Sequence, residues 1–389
     1  PEDTAEAWDN PGLLVTGRCR ELSAVLVTLD VTKDYPEKKI VLQDLADVKY
    51  IPLETKKNAL LTNSTAMLGY VSDSLIVART SDNEIVLFNG DGSVRSSFRH
   101  VGQGSKEYQY IIGMAVDPKA QEIFIVDYLL KYRMQVYSFT GQYKRTLPIP
   151  YKMILNSLQD FSADCLLACD MDVNQGISNR AKPYMLLSKK TGEIVKELDI
   201  HFTKRMSNRM SKPFGENQTI SAALGYDPIV RCEDSYVIGD LSADTIYTYT
   251  PQGVLSPMLV RTPPVLSMET PKVLLPDYRA GSYFFFYLVD FEFDFETRTG
   301  FPDKYMVYDY AAGKTYVCKL VNRDCEEQEI QLGDGGVTNK AWNTACYTIP
   351  SSMLIEQSEA GKVHGPLKEI AAGRTDDDNP VLAIVRFKN

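Results

Sequence analysis

The stretch FRHVGQGSKEYQYIIGMAVDPKAQEIFIVDYLLKYRMQVYSFTGQYKRTL, residues Phe98–Leu147, contains four short apolar runs separated by turn signals. The runs cover residues 111–116, 123–126, 134–139 and 143–147, and the last two are joined at Thr140-Gly141. Runs of this length that are rich in β-branched and aromatic residues are typical of strands. The stretch therefore predicts one antiparallel sheet of four strands.

The hairpin that ends this unit recurs along the chain, as VLFNGDGSV, VYSFTGQY, LLSKKTGEI, YTYTPQGVL and VYDYAAGKTY. Successive turn glycines are 49, 51, 61 and 60 residues apart, and they are Gly92, Gly141, Gly192, Gly253 and Gly313. Glycine is expected at these turns because they require a positive φ angle. A repeat of this length with four strands per unit predicts a β-propeller.

Five such units precede a sixth in residues 341–389, with strands expected at Thr344–Ile349, Met353–Glu356 and Val381–Phe387. The ring closes only if the strand near Val48–Leu53 joins this last blade, since open edges would otherwise remain at the seam. We therefore predict an all-β, six-bladed propeller of four-stranded antiparallel blades over residues 38–389. Residues 1–37 are predicted to form a short α/β appendage or fusion remnant.

Composition narrows the classes of function. The net charge of −9 and the pI near 5.1 argue against nucleic acid, whose phosphates need a basic surface. No apolar run is long enough to cross a bilayer. The seven cysteines are an odd number, so a monomer has at least one unpaired thiol; Cys318 and Cys325 either bond across a hairpin or remain free.

The segments DVKYIPLET, GQGSKEY, MAVDPKAQEIFIVD and VYSFTGQYKRTL resemble the six-bladed β-propeller proteins of Bacteroides-type bacteria, which are related in style to NHL-repeat propellers. The resemblance covers residues 38–389. It implies an exported protein or lipoprotein of the cell envelope, periplasmic or at the outer membrane, without an assigned activity. A lipid-anchored cysteine would then precede Pro1, since Cys19 in VTGRC lacks the apolar residues of a lipobox.

A second resemblance concerns residues 1–32, where WDNPGLLV and VLVTLDVT are similar to the start of the dinuclear-metal hydrolase-like family that includes type 2 GTP cyclohydrolase. That family's paired-histidine motif supplies metal ligands. It is absent here, because the three histidines, His100, His201 and His364, are far apart. The resemblance therefore assigns no metal residue. The missing histidine motif disfavours a metal-dependent hydrolase.

In a propeller blade, the loop between the second and third strands lies on the same face as the connections between blades. Asp127 ends a predicted second strand, and alignment on the turn glycines gives Arg79, Asp170 and Asp240 as its counterparts. These side chains are expected around the mouth of the central channel. Two interpretations follow: each aspartate caps a turn through its own backbone, or the residues form a polar ring for a ligand or cation.

Aromatic and cationic residues follow in YLLKYR, where Tyr128, Tyr132 and Arg133 could stack on a sugar or bind an anion, or pack one blade on the next. The predicted ligand-binding residues are Arg79, Asp127, Tyr128, Arg133, Asp170 and Asp240.

The fifth unit contains VDFEFDFETR, residues 289–298. As one strand it would place Phe291, Phe293 and Phe295 on a buried face and a row of four acids, at positions 290, 292, 294 and 296, on the other. The acids could supply part of a Ca²⁺ site, or they could form a solvated or cation-paired face. The acidic segment 376–379 lacks the ligand spacing of a calcium loop and is expected to be an exposed turn.

Motifs for catalysis are missing: the sequence contains no GxSxG, HExxH, GxGxxG with a following acid, or P-loop. We assign no catalytic residue, no metal ligand and no cofactor. The favoured function is a non-enzymatic, exported module that binds a glycan, peptide or protein on its loop face. The alternative is a carbohydrate-active hydrolase or lyase that uses carboxylates at the channel mouth, with or without calcium.

Overall fold

The computed structural model describes residues 26–61, 67–127, 129, 132–150, 153–171, 180–202, 204–215, 218–326, 328–333 and 343–388. Six antiparallel sheets stand around a ring, which confirms the predicted six-bladed, all-β propeller. Blade 1 contains β4 (Met67–Val71), β5 (Leu75–Arg79), β6 (Ile85–Asn89) and β7 (Val94–Phe98). Blade 2 contains β8 (Ile111–Asp117), β9 (Glu122–Asp127), β10 (Arg133–Ser138) and β11 (Tyr143–Pro148).

Blades 3, 4 and 5 repeat this order. Blade 3 contains β12 (Ser157–Asp160), β13 (Cys165–Cys169), β14 (Tyr184–Ser188) and β15 (Ile194–Glu197). Blade 4 contains β18 (Ile229–Arg231), β19 (Tyr236–Ile238), β20 (Thr245–Tyr249) and β21 (Leu255–Thr262). Blade 5 contains β22 (Lys272–Ala280), β23 (Tyr283–Asp290), β26 (Asp303–Asp309) and β27 (Lys314–Val321).

The first strands of blades 1–5 contact one another in succession and therefore surround the axis of the ring. Two glycines allow close packing there. A Cβ atom on Gly69 would lie 1.9 Å from Cε of Met114, and one on Gly113 would lie 2.3 Å from the carbonyl oxygen of Leu155. The axial channel is consequently narrow at blades 1–3.

The five predicted turn glycines all have positive φ, between 62° and 86°. Each one lies in the turn between the third and fourth strands of its blade. The requirement for a left-handed backbone at this turn is therefore the physical origin of the repeat.

The N-terminal part of the described chain runs along the outside of three blades. The strand β1 (Val27–Asp30) adds in parallel to β21 of blade 4, and β2 (Glu37–Val41) adds in parallel to β27 of blade 5. A short helix, α1 (Leu42–Leu45), then leads into β3 (Ala46–Pro52). Residues 27–30 and 37–41 are thus paired with blades 4 and 5; residues 1–25, with their hydrolase-like segment WDNPGLLV, lie outside the described residues.

Blade 6 contains β28 (Ala345–Ile349), β29 (Val381–Phe387) and β3, in that order across the sheet. The antiparallel pairing of β3 with β29 joins the two ends of the ring. The strand predicted at Met353–Glu356 is wrong, since these residues belong to the helix α2 (Ser351–Glu359), which precedes α3 (Gly365–Ala371). The connection between β28 and β29 lies outside the sheet. Its residues therefore have no neighbouring strand to pair with and can form helices.

The predicted exposed turn at 376–379 is correct only for its first residues. Asp376 and Asp377 are exposed, whereas Asn379 is fully buried. Its side-chain amide satisfies buried backbone groups at the start of the first blade. Polarity alone suggested exposure, but a polar side chain with enough hydrogen-bond partners can be buried.

The core lies between blades, where apolar side chains of adjacent sheets interdigitate. The described cysteines, Cys318 and Cys325 among them, are free thiols, and burial raises the pKa of Cys318 to about 12. Such buried thiols act as small apolar side chains.

A buried ion-pair group joins blades 2 and 3 on the face opposite the loop face. Nζ of Lys189 lies 2.5 Å from Oδ2 of Asp117 and 2.5 Å from Oδ1 of Asp160. All three side chains are mostly buried, and burial raises the pKa of Asp160.

Candidate functional site

The loop face carries the connections between blades and the loops between second and third strands. Four predicted site residues occupy equivalent places there: Arg79 and Asp127 end β5 and β9, Asp170 follows β13, and Asp240 lies two residues beyond β19. All four are at most 8% exposed. Tyr128, also predicted as a ligand contact, lies outside the described residues.

Asp127 and Asp170 hold the connections that enter the first strands. Oδ1 of Asp127 accepts a 2.7 Å hydrogen bond from the amide of Leu129, and Oδ2 accepts one from the amide of Gln109. Oδ1 of Asp170 accepts a 3.1 Å bond from the amide of Ile154. The Asp127 contact with Leu129 is the local turn cap of the first interpretation, whereas Asp170 bonds a more distant part of the chain, and a direct contact of either aspartate with a ligand stays a prediction.

Asp240 makes an ion pair as well as a cap. Oδ1 accepts a 2.8 Å bond from the amide of Ser242, and Oδ2 lies 3.3 Å from the Arg205 guanidinium. Both charged side chains are 2% exposed. Arg205 also donates to the carbonyl of Asp170, so it links the ends of two predicted second strands.

Arg79 organises the mouth of the channel at blades 1 and 2. Its guanidinium donates to Oδ1 of Asn83 at 3.0 Å and to the carbonyl of Ile111 at 2.9 Å. The guanidinium also lies 5.9 Å from the ring centre of Tyr110, which is half exposed. Burial lowers the pKa of Arg79, yet an arginine remains charged at physiological pH.

A small pocket with a volume of about 20 Å³, open to solvent, lies beside Arg79. Oδ1 of Asn156, which lines it, is buried and has no hydrogen-bond partner among the described residues. The remaining lining is apolar, from residues 68–69 and 111–114. The pocket is narrow enough that it suits a water or the end of one side chain rather than a whole ligand.

Arg133 supports the loop GQGSKEY, residues 102–108, from β10 below it. Its guanidinium donates to the carbonyls of Gly104 at 3.0 Å and Glu107 at 3.4 Å. Gln135 donates to Ser105 and Glu107, and Tyr137 donates to Lys106. The side chains of one strand thus fix four successive carbonyls, which makes Arg133 a support for the loop.

A wider groove of about 250 Å³, open to solvent, lies between blade 4 and the connection that enters it from blade 3. It is mainly polar, and its exposed lining includes His201, Lys204 and Leu266. Spacing within the sequence gave no sign of it, because its residues come from blade 4 and from the two connections on either side of that blade.

Two hairpins rise from the loop face. The first, β16 (Arg209–Phe214) with β17 (Gln218–Ala223), belongs to the connection between blades 3 and 4. The second, β24 (Phe293–Asp294) with β25 (Thr299–Gly300), lies in the loop between β23 and β26 of blade 5. Lys212 and Glu296 link them with a 2.6 Å ion pair.

The second hairpin corrects the predicted single strand over VDFEFDFETR. The strand β23 ends at Asp290, and Phe293 and Phe295 pack against each other in the hairpin instead of between blades. The acids at 292, 294 and 296 are exposed, and Asp290 pairs with Lys272. The arrangement corresponds to the solvated, cation-paired interpretation of the acidic row.

Exposed apolar side chains concentrate on this face. Nine large apolar residues of the described chain are exposed, and five of them belong to the connections of the loop face: Tyr110, Leu129, Phe214, Ile220 and Leu266. Sequence reasoning missed this surface, because which apolar residues remain uncovered depends on the packing of neighbouring blades.

Within the described ranges, no three His, Cys, Asp or Glu side chains converge as a metal site requires. No helix in that part of the chain is both long and apolar enough to span a membrane.

Comparison with known proteins gives a family and a fold. No curated protein matches the chain. A solved structure from Bacteroides fragilis, described as a candidate exported protein, is similar with a TM-score of 0.62 at 13% identity, covering 94% of this chain and 100% of that one. A member of the DUF4221 family from Bacteroides vulgatus aligns with a TM-score of 0.46 at 11% identity, covering 88% and 97%.

The family described as "Domain of unknown function (DUF4934)" matches residues 26–261, from β1 to β21, which is more than half of the chain. The chain therefore belongs to the DUF4934 family.

Proposed function

We propose that this protein is a non-enzymatic binding module of the cell envelope, periplasmic or lipid-anchored at the outer membrane, that holds a protein partner on its loop face. The observation that carries the proposal is the concentration of exposed apolar side chains there. Exposed apolar surface costs free energy in water, and it is commonly retained where a partner covers it. The similarity to a Bacteroides protein described as a candidate exported protein supports the location.

The arrangement of the face favours a protein over a small ligand. Its apolar residues are spread over several connections, and the axial pocket beside Arg79 is shallow. A protein interface needs a broad surface with aromatic anchors and a polar rim. Tyr110, half exposed and stacked near the Arg79 guanidinium, is suited to be such an anchor.

The predicted ligand-binding residues take two roles in this proposal. Arg79 contacts the partner together with Tyr110, whereas Asp127, Asp170 and Asp240 shape the connections that present the apolar side chains. Arg133 keeps the loop 102–108 rigid, so that little conformational entropy is lost on binding.

The test compares two triple variants of the full chain. Tyr110→Glu/Phe214→Glu/Leu266→Glu places charge on the loop face, and Leu26→Glu/Val195→Glu/Val254→Glu places it elsewhere at similarly exposed sites. Peptides from a random display library are enriched on the wild-type chain, and their affinities for the variants are then measured. We expect the loop-face variant to bind at least about tenfold more weakly, which is about 1.4 kcal/mol, and the other variant to bind as wild type.

Equal binding by all three proteins would overturn the proposal. An oligosaccharide panel, with and without added Ca²⁺, serves as the second arm of the experiment. Release of new sugar ends or unsaturated products from that panel would favour the carbohydrate-active hydrolase or lyase instead.

A further inference from the structure

The hairpin β16–β17 contributes little to the propeller core. Every residue of its two strands except Met210 and Ala222 is exposed, and neither strand pairs with another strand of the described chain. An isolated two-stranded hairpin is only marginally stable in water. Its persistence as an ordered unit on the loop face therefore calls for a role outside the core.

The two faces of this hairpin differ in chemistry. The register pairs Met210 with Ala222, Lys212 with Ile220, and Phe214 with Gln218, so these residues share one face. Phe214 is 57% exposed on that face. The opposite face carries one arginine and otherwise only small side chains: Arg209, Ser211, Pro213, Thr219, Ser221 and Ala223.

The unpaired edges of the other sheets are protected. Natural proteins place charges and prolines on edge strands because an unpaired edge is a template for another strand. The outermost strand of each blade carries at least one charge, at Arg95 in β7, Lys144 in β11, Lys196 in β15, Asp30 in β1, Lys39 in β2 and Lys49 in β3. Within the hairpin itself, β16 carries Arg209, Lys212 and Pro213.

The edge of β17 has no such protection. Its sequence, QTISAA, contains neither a charge nor a proline, and it includes the β-branched Thr219 and Ile220. Six residues in extended conformation offer backbone donors and acceptors along about 20 Å. Among the exposed edge strands of the described chain, β17 is the one suited to pair with an added strand.

We propose that β17 receives an extended segment of another protein as the third strand of this small sheet. The inference rests on the proposed function and specifies how the partner is held. Backbone hydrogen bonds to β17 supply affinity, and alternating side chains supply specificity. The fitting segment has about six uncharged residues, with apolar side chains on the face of Ile220 and polar ones on the face of Thr219.

A second copy of this chain suits the edge less well. Two copies that meet along β17 would share a contact about 20 Å long and one strand wide on each side. Stable dimers bury about 1,200 Å² or more in total. A flexible segment of a different protein has no attached propeller that limits its approach. It can therefore pair with β17 and also cover Phe214 and Ile220.

The experiment uses the full chain and a displayed library of random dodecapeptides. The most enriched peptides are synthesised, and their binding is measured on wild type, Thr219→Lys and Val195→Lys. Thr219 is exposed on β17, so a lysine at this position supplies the edge charge that β17 lacks. Val195, 59% exposed on β15, provides the matched control on an edge that already carries charge.

We expect Thr219→Lys to weaken binding at least about tenfold, Val195→Lys to leave it unchanged, and bound peptide to slow amide hydrogen exchange in β17. Binding that is weakened by the loop-face triple variant but unaffected by Thr219→Lys would overturn strand addition and leave the proposed function standing. Binding unaffected by either would overturn both. A wild-type dimer that Thr219→Lys dissociates would assign the edge to a second copy and overturn the proposal.

Discussion

Oδ1 of Asn379 accepts a 2.7 Å hydrogen bond from the amide of Leu61, which lies 318 residues earlier in the chain. Its Nδ2 donates to the carbonyls of Glu54 at 2.8 Å and Ala59 at 2.7 Å. Because Asn379 lies two residues before the last strand, one side chain fixes the connection that leads from the last blade into the first. The seam of the ring is therefore held by side-chain hydrogen bonds as well as by the pairing of β3 with β29.

Replacing Asn379 by alanine should destabilise the fold by about 3 kcal/mol, because buried backbone groups of residues 54–61 lose their partners. Urea denaturation measures the free energy of unfolding. Asp377→Ala, two residues away and exposed, is the matched control and should change it little. A loss below about 1 kcal/mol for Asn379→Ala would mean that water replaces the side chain at the seam.

The two axial glycines should differ in their tolerance of a methyl group. In Gly69→Ala the new Cβ meets the flexible end of Met114, whereas in Gly113→Ala it meets the backbone carbonyl of Leu155. We expect Gly113→Ala to lower the free energy of unfolding by about 2 kcal/mol or more, and Gly69→Ala to cost clearly less. Adding Met114→Ala should relieve the contact at Gly69 but have no such effect at Gly113. The opposite order of costs would contradict the close packing around the axis.

Removal of the cation between blades 2 and 3 should be costly. Lys189→Met leaves Asp117 and Asp160 buried without their ion-pair partner, which typically costs about 3–5 kcal/mol. Burial already raises the pKa of Asp160 in the folded state. An acid with a raised folded pKa stabilises the fold fully below its unfolded pKa, and this contribution is lost as the pH rises through the folded value.

The loss caused by Lys189→Met should therefore be larger at neutral pH than in mildly acidic buffer. Unfolding free energies measured at both pH values test this expectation. Adding Asp117→Asn and Asp160→Asn to Lys189→Met removes the two buried carboxylate charges and should recover part of the stability. A pH-independent loss would show that the missing lysine acts through packing alone.

Glu122 should contribute to the loss of folding stability at acidic pH. Hydrogen bonds from Arg145, at 2.7 Å to each carboxylate oxygen, lower the pKa of Glu122, and Lys144 adds a further contact at 3.1 Å. An acid with a lowered folded pKa contributes stability above its unfolded value, and this stability is lost as the pH falls through the folded value.

Glu122→Gln should accordingly destabilise the protein at neutral pH by about 2 kcal/mol and reduce the further loss on acidification. The exposed Glu359 supplies the control substitution, Glu359→Gln, which should leave the pH dependence of thermal unfolding as in wild type. If thermal unfolding of Glu122→Gln and of wild type depended on pH in the same way, Glu122 would not contribute to the loss of stability in acid.

The equivalence of Arg79, Asp127, Asp170 and Asp240 could be predicted because each comes at the end of a predicted second strand, ahead of a turn glycine that must have positive φ. The contacts that these four side chains make could not be predicted in this way. Whether a carboxylate meets a ligand, an amide or an arginine depends on the connection that folds over it, and Arg205 reaches Asp240 from 35 residues away. The single strand predicted over residues 289–298 is wrong for a related reason, since alternation fits a strand as well as a short hairpin.

The sequence by itself determined the propeller and its number of blades, because local turn geometry and strand alternation repeat at a nearly constant interval. Tertiary structure alone decided which polar groups are satisfied and which apolar side chains remain uncovered. The protected outer edges and the unprotected edge of β17 became distinguishable only once the blades were placed around the ring. Burial is a property of neighbours in space, and in a ring closed between residues 46–52 and 381–387 those neighbours come from distant parts of the chain.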